Sequence, residues 1–519
     1  MEVIHPASGA QAARSYVWPP DYNWHSPPPA NYLGGSGPPF GGGHAPLISP
    51  ASPARHRGRG GSRVRPKHVT HNPPVTHAVV FPWLVSMWVV DNLQYSQQQS
   101  SSNENVANGS DGKFEEVYRW KEVDFVYPSP KARLNALATK AFIPKNNLPL
   151  GLEVTRDKVF VTLPRWKQGV PCSLAVLDRH DPNPSPRLRP FPSWKWHQLT
   201  SSRGSSKCDV ITSVFRMSLD QCGRVWVLDS GSVDIFESVN QLCPPQILVF
   251  DVNSEKLIWR YQIPKEQSLE DGLFTNIVVD VGNHCDDVFA YISDVFRYGL
   301  VVYDWQNNKS WRISHPHFYP DPIVSRYNLD GIIFRWTDGI FGLALSPPDP
   351  KTQEKLLYFH PLSSFREFSV STEILRNETK STEELDCFNA IGQPRGRKDS
   401  HASASAMDSD GILYYNLVSK SAVGCWNSKN GPHLESTQGV IETNNTTLSF
   451  PNDLKIETNG NEKYIWVLSN RLHKYLYSSL SPDEYNFRIL RVNAREAVKG
   501  TVCQPGARVG PTQPICYEF

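Results

Sequence analysis

Residues able to do chemistry stand at matching places in six short apolar stretches of this chain: Glu153 beside Leu152, Thr212 and Ser213, Thr275 and Asn276, Asp338 and Phe341, His401 and Ser403, and Phe450, Asn452 and Asp453. A carboxylate facing an aromatic wall suits a ligand that combines a flat ring with a positive charge, because the ring stacks and the cation needs an anion. Thr212, Asn276, Phe341, Phe450 and Asn452 are therefore the expected ligand-binding residues. His401, flanked by serines, is the candidate general base for moving a proton on such a ligand. Each residue also has a plainer reading: the phenylalanines pack blades, the asparagines satisfy backbone groups at a crowded centre, and a lone histidine is structural. Glu153, Asn276, Asn452 and Asp453 could give oxygen ligands to a divalent cation, but the expectation is no metal and no cofactor. A serine nucleophile lacks its G-x-S-x-G elbow, since Gly204-Ser205-Ser206 lies in a polar loop.

These residues need a frame that brings distant segments together, and an internal repeat supplies it. An apolar–aromatic–apolar core followed by a small or polar turn recurs at VFVTLP, VWVLDSG, AYISD, LYFHPLS, LYYNLVS and IWVLSN. Its aromatics are Phe160, Trp226, Tyr291, Tyr358, Tyr414 and Trp466, spaced 52 to 67 residues apart. Upstream of each copy lies a strand-like partner such as ITSVFRMSLD or FTNIVVDVG, joined to it by turns such as Asp408-Ser-Asp-Gly411. Downstream partners such as ILVFDV, GLVVYDW and FRILRV add a third strand, and KLIWRYQIP and KSWRI a fourth. Antiparallel sheets repeated six times, with little helical periodicity, predict an all-β, six-bladed β-propeller over residues 114–503. Two stacked sandwiches are the alternative. The upstream strands would line the central channel, where ligands bind.

Net charge is +2, but seven of the 53 basic residues lie before residue 91, leaving 46 bases against 49 acids in the rest. Nucleic acid is excluded as a partner of the folded part, since it requires clustered positive charge. Residues 1–77, rich in Pro, Gly, Ser and His, form an expected disordered extension. AVVFPWLVSMWVV (78–90) follows a basic run, the layout of a signal segment. It is shorter than the ~20 apolar residues that span a bilayer, so no stable membrane insertion is expected. A polar linker, 91–113, and a tail, 504–519, flank the propeller. None of the nine cysteines forms a C-x-x-C pair, which favours disulfides over zinc. Cys222 and Cys285 occupy equivalent hairpin turns of neighbouring blades, and Cys425 with Cys503 could tie the last blades. Asn108, Asn308, Asn377, Asn444 and Asn445 head glycosylation sequons, consistent with a secreted, extracellular protein.

The stretches IPKNNLPLGLEVTRDKVFVTLPRWKQGVPCSL, CGRVWVLDSG, CDDVFAYISDVFRYGLVVYDWQNNKSWR, DGIFGLALSP and SAVGCWNS, with FPNDLKI and IWVLSNRL, resemble the yellow / major royal jelly family of insects, on its yellow branch. The resemblance implies a secreted six-bladed propeller acting in cuticle pigmentation, in development or as a binder of small amines. The implied ligand is a catecholamine or indole amine, and some members convert dopachrome, so a dopachrome isomerase is the second reading and a structural cuticle protein the third. The N-terminal extension and Cys172, Cys387 and Cys516 depart from the family pattern. Oligomeric state is not legible.

Overall fold

The computed structural model describes residues 112–199, 208–235 and 240–506. The expected disordered extension, the signal-like segment, Asn108, Cys516 and nearly all of the linker and tail lie outside the described residues.

Six four-stranded antiparallel sheets are arranged around one axis. Their inner strands are Leu152–Val154, Val214–Leu219, Phe274–Val281, Ile340–Leu345, Ala402–Met407 and Pro451–Asn459. Each inner strand contacts the next around the ring, and the sixth returns to the first. The protein is thus a six-bladed β-propeller. The repeated aromatics sit on the second strands, Lys158–Thr162, Arg224–Asp229, Val288–Asp294, Leu356–Pro361, Ile412–Leu417 and Glu462–Ser469. Phe160, Trp226, Tyr291, Tyr414 and Trp466 are fully buried between blades, and Tyr358 nearly so, which explains why bulky β-formers recur there.

The sixth blade is closed by the other end of the chain. Glu115–Trp120 pairs antiparallel with Phe487–Asn493 as the outer strand. Trp120 is buried and its Nε1 donates to Pro186 O at 2.8 Å, so this closure also grips the first blade. Three disulfides fasten the frame. Cys222–Cys285 joins the hairpins of blades 2 and 3, and Cys425–Cys503 ties blade 5 to the segment after the last strand. Cys208–Cys243, between two loops of blade 2, has no counterpart among the sequence expectations. Cys172 and Cys387 are buried.

Five of the six inner strands carry a bulge near their start, at Val214/Met217, Phe274/Asn276, Ile340/Gly342, Ala402/Ser405 and Pro451/Asp453. A bulge adds an unpaired residue and re-aims its side chain. It also frees a carbonyl, and the fold satisfies four of these with side chains from other blades. Phe215 O accepts from Thr162 Oγ1 at 2.7 Å, Phe341 O from Asn276 Nδ2 at 2.9 Å and Asn452 O from Arg216 Nη2 at 2.5 Å, while Ser403 O lies 3.2 Å from His360 Nε2. His360 can stand there only beside a glycine, because a Cβ on Gly342 would come within 2.2 Å of its ring. The bulges therefore both stitch the blades and set which side chains reach the axis.

Candidate functional site

The axis holds two recesses separated by a plug. At the end where the inner strands begin, an apolar recess of about 50 Å³ is lined by the bulge residues Phe215, Thr275, Phe341, Ser403 and Asn452. Leu150, Trp166, Leu273, Trp336, Phe450 and Leu472 are among the residues that complete its wall. At the other end a wider cavity of about 510 Å³ is lined by the later residues of the same strands, including Glu153, Asn276 and Asp453. Arg216 stands between them, fully buried, with its guanidinium 4.7 Å from the Phe341 ring centre. Its Nη2 donates to both Asn452 O and Asn452 Oδ1, and its Nη1 lies 3.3 Å from Asp453 Oδ1.

The five expected ligand residues divide. Phe341, Phe450 and Asn452 meet in the apolar recess. Asn276 lines the opposite cavity, because the bulge at Phe274/Asn276 turns Thr275 to the recess in its place. Thr212 lines neither; it is buried beside Asp229, whose Oδ2 accepts its amide at 2.8 Å. His401 also stands apart. Its ring stacks on Tyr327 at 3.7 Å and its two nitrogens meet Ser419 Oγ and Val324 O, each at 2.6 Å. Burial pushes its pKa down to about 4.

Among the described residues, Asp338 is the one ionisable side chain on the recess wall. Among the described residues no hydrogen bond reaches its carboxylate, and burial pushes the pKa up to about 7. A carboxyl that titrates near 7 can accept a cation or exchange a proton. Its neighbour on the wall, Asn452, has its Oδ1 committed to Arg216, which leaves the amide nitrogen to donate into the recess. Phe450 adopts φ 54°, a left-handed conformation unusual for a bulky residue, and its ring stacks on His473 at 6.0 Å. Strain of this kind persists where the surroundings over-determine it, here at the wall of the apolar recess.

Two added elements supply further parts of the wall. The hairpin Arg326–Leu329/Ile332–Arg335 leads into Trp336, and the helix Leu472–Tyr477 supplies Leu472 and Leu476. They are latched by His473 and Lys474, which lie 3.1 and 3.2 Å from Asp330 Oδ2, and by the Trp336 Nε1 bond to Tyr477 OH. Neither element belongs to the strand repeat, so periodicity alone could not place them.

The oxygens that could have served as cation ligands are already engaged. Glu153 accepts from the Val154 and Leu219 amides, Asn276 from Ile277, Asn452 from Arg216, and Asp453 from Leu152 and Leu454. No metal-holding group of His, Cys, Asp and Glu occurs among the described residues. Of the sequons, Asn308, Asn377 and Asn445 are exposed, while Asn444 is half-buried, its Oδ1 accepting from Thr446 and Thr447.

Comparison with known proteins adds descent to this geometry. Residues 212–503 match the family model described as major royal jelly protein. A dopaminechrome tautomerase of Drosophila melanogaster is 40% identical over 422 residues, covering 80% of this chain and 89% of that protein. Protein yellow of Drosophila subobscura is 39% identical over 394 residues, covering 75% of this chain and 67% of its own. A luciferin-regenerating enzyme of known structure aligns at TM-score 0.39 and 10% identity, over 70% of this chain and 96% of that one. The family model and the two relatives place the chain, without further argument, in the major royal jelly / yellow protein family.

Proposed function

We propose that this protein acts outside the cell in the pigmentation pathway, holding a catechol-derived amine or its cyclised quinone in the apolar recess. The single observation that carries the reading is Asp338, the lone ionisable group on an aromatic wall. Phe341, Phe450 and Trp336 would sandwich the ring, Asn452 would donate to a ring oxygen, and Asp338 would pair with the cationic nitrogen. The recess of about 50 Å³ is too small for a bicyclic ligand as it stands, so entry requires the Trp336 hairpin and the Leu472–Tyr477 helix to shift. Three disulfides and exposed sequons support an extracellular setting.

A second reading, isomerisation of an aminochrome, is favoured by the same carboxyl and by the 40% identity to a dopaminechrome tautomerase. A tautomerisation moves a proton from ring carbon to quinone oxygen, with no net gain or loss of electrons. A carboxyl titrating near 7 suits both halves of that transfer. Calorimetric titration with a catecholamine panel, alongside the absorbance decay of dopaminechrome, tests both readings. Saturable binding that weakens at least about tenfold in Asp338→Asn supports the amine site. Turnover lost in that variant but kept in His401→Ala supports the isomerase. If no compound binds and none is converted, both fail and a structural role in cuticle takes their place.

A further inference from the structure

The wider cavity on the opposite face has chemistry of the reverse sign. Arg216 is fully buried and lines it, yet its Nε and Nη1 make no hydrogen bond. Asp453 lies 3.3 Å from Nη1, but both of its oxygens already accept backbone amides. From blade 5, across the axis, Ser405 lines the same cavity with a buried Oγ that also has no partner. Unmatched buried donors are costly, and a guanidinium more so than a hydroxyl.

The remaining charges favour an anion. Lys455 reaches Glu153 only at 3.5 Å and gives a hydrogen bond to Met217 O, while Arg156 stands exposed on the cavity wall. Glu153 has both carboxylate oxygens engaged by the Val154 and Leu219 amides. Asp220 and Glu457 are occupied by Arg224 and Arg179. Between the polar groups the wall is apolar: Val278, Leu343, Ala344, Ala404 and Met407.

We propose that this cavity is a second binding site, for a small organic carboxylate, with Arg216 and Ser405 as its donors. The apolar wall takes the hydrocarbon body and the guanidinium takes the carboxylate, a match that an inorganic ion would satisfy only in part. None of the residues that line this cavity lines the aromatic recess.

The test is a ligand-observed NMR titration of the full chain with benzoate, hexanoate, acetate and inorganic phosphate. Saturable binding of benzoate or hexanoate, tighter than acetate or phosphate, is expected. Ser405→Ala should weaken it by about tenfold to a hundredfold, in line with one lost hydrogen bond to a charged group, and Arg216→Lys measurably as well. Should Arg216→Lys not fold, Ser405→Ala alone carries the test. Benzoate and phosphate binding equally, or binding indifferent to Ser405→Ala, would show an adventitious anion only. No saturable binding of any probe would show a water-filled cavity. Either result overturns the proposal.

Discussion

Replacing Asp338 with asparagine should stabilise the protein, and by an amount that depends on pH. The folded carboxyl titrates at about 7 against 3.8 for the unperturbed group, because burial disfavours its charged form. That difference of about 3 units, at ~1.4 kcal/mol per unit, corresponds to about 4 kcal/mol. Below about pH 4 the carboxyl is protonated whether folded or unfolded, and its burial carries no ionic penalty. As pH rises through the window from about 4 to 7 the unfolded chain releases the proton while the folded one keeps it, so stability falls. Above about 7 the folded carboxylate is ionised with no hydrogen-bond partner among the described residues, and the loss is complete. The Asp338→Asn side chain would carry no such charge, so the stability gap between variant and wild type should open across that window and then level off. Urea unfolding followed by tryptophan fluorescence at about pH 4.5, 6 and 8 measures it. A saturating cationic amine should close part of the gap at about pH 8, since it supplies the missing partner. Parallel stabilities at all three pH values would refute the argument that Asp338 is buried unpaired.

His401→Ala should cost about 2–3 kcal/mol, from the lost stack on Tyr327 and two hydrogen bonds, and leave ligand binding by the folded variant unchanged; urea melts with calorimetry separate the two effects. Trp120→Ala should cost about 3–5 kcal/mol, because it opens a cavity at the seam where the ring closes and breaks the bond to Pro186. The paired change Cys425→Ser and Cys503→Ser frees a link spanning 78 residues and should cost about 2–4 kcal/mol, read as a lower urea midpoint than the wild type under non-reducing conditions.

The ring was legible because burial between blades forces the same residue classes onto each second strand. Phe160, Trp226 and Trp466 mark one position in three blades, and no local propensity had to be trusted to see it. Cys222 and Cys285 could be paired for the same reason: equivalent turns of adjacent blades lie side by side. Cys208 and Cys243 sit in loops outside the repeat and offered no such register. The closing strand Glu115–Trp120 was illegible as an outer strand because its partner Phe487–Asn493 is remote in sequence. The site was half legible. Strict alternation assigns facing correctly only while the ladder is regular, and each bulge shifts it. Asn276 was therefore expected where Thr275 stands. Asp338 was within the candidate ring, but its solitude depends on Trp336, Phe450 and Leu472, brought over it by elements the repeat does not contain.

The two recesses make physical sense together. Burying a charge is costly unless it is paired, and this axis buries two of opposite sign: Arg216, whose Nη1 lies 3.3 Å from Asp453 Oδ1, and Asp338, whose carboxylate accepts no hydrogen bond among the described residues. They do not neutralise each other. Phe215 and Phe341 divide the carboxyl of Asp338 from the guanidinium of Arg216, and Arg216 spends its contacts on Asn452, the Phe341 ring and an Asp453 already filled by backbone amides. A fold under selection for stability alone would bring the two charges into contact or replace both with apolar groups. Their separation is what the proposed amine recess on one face and the proposed carboxylate cavity on the other both rest on. The partition also couples them: Arg216 Nη2 donates to Asn452 Oδ1, and Asn452 lines the recess. A carboxylate bound in the lower cavity should alter amine affinity on the opposite face, whereas Ser405→Ala should raise the carboxylate concentration at which the effect appears without touching amine binding itself.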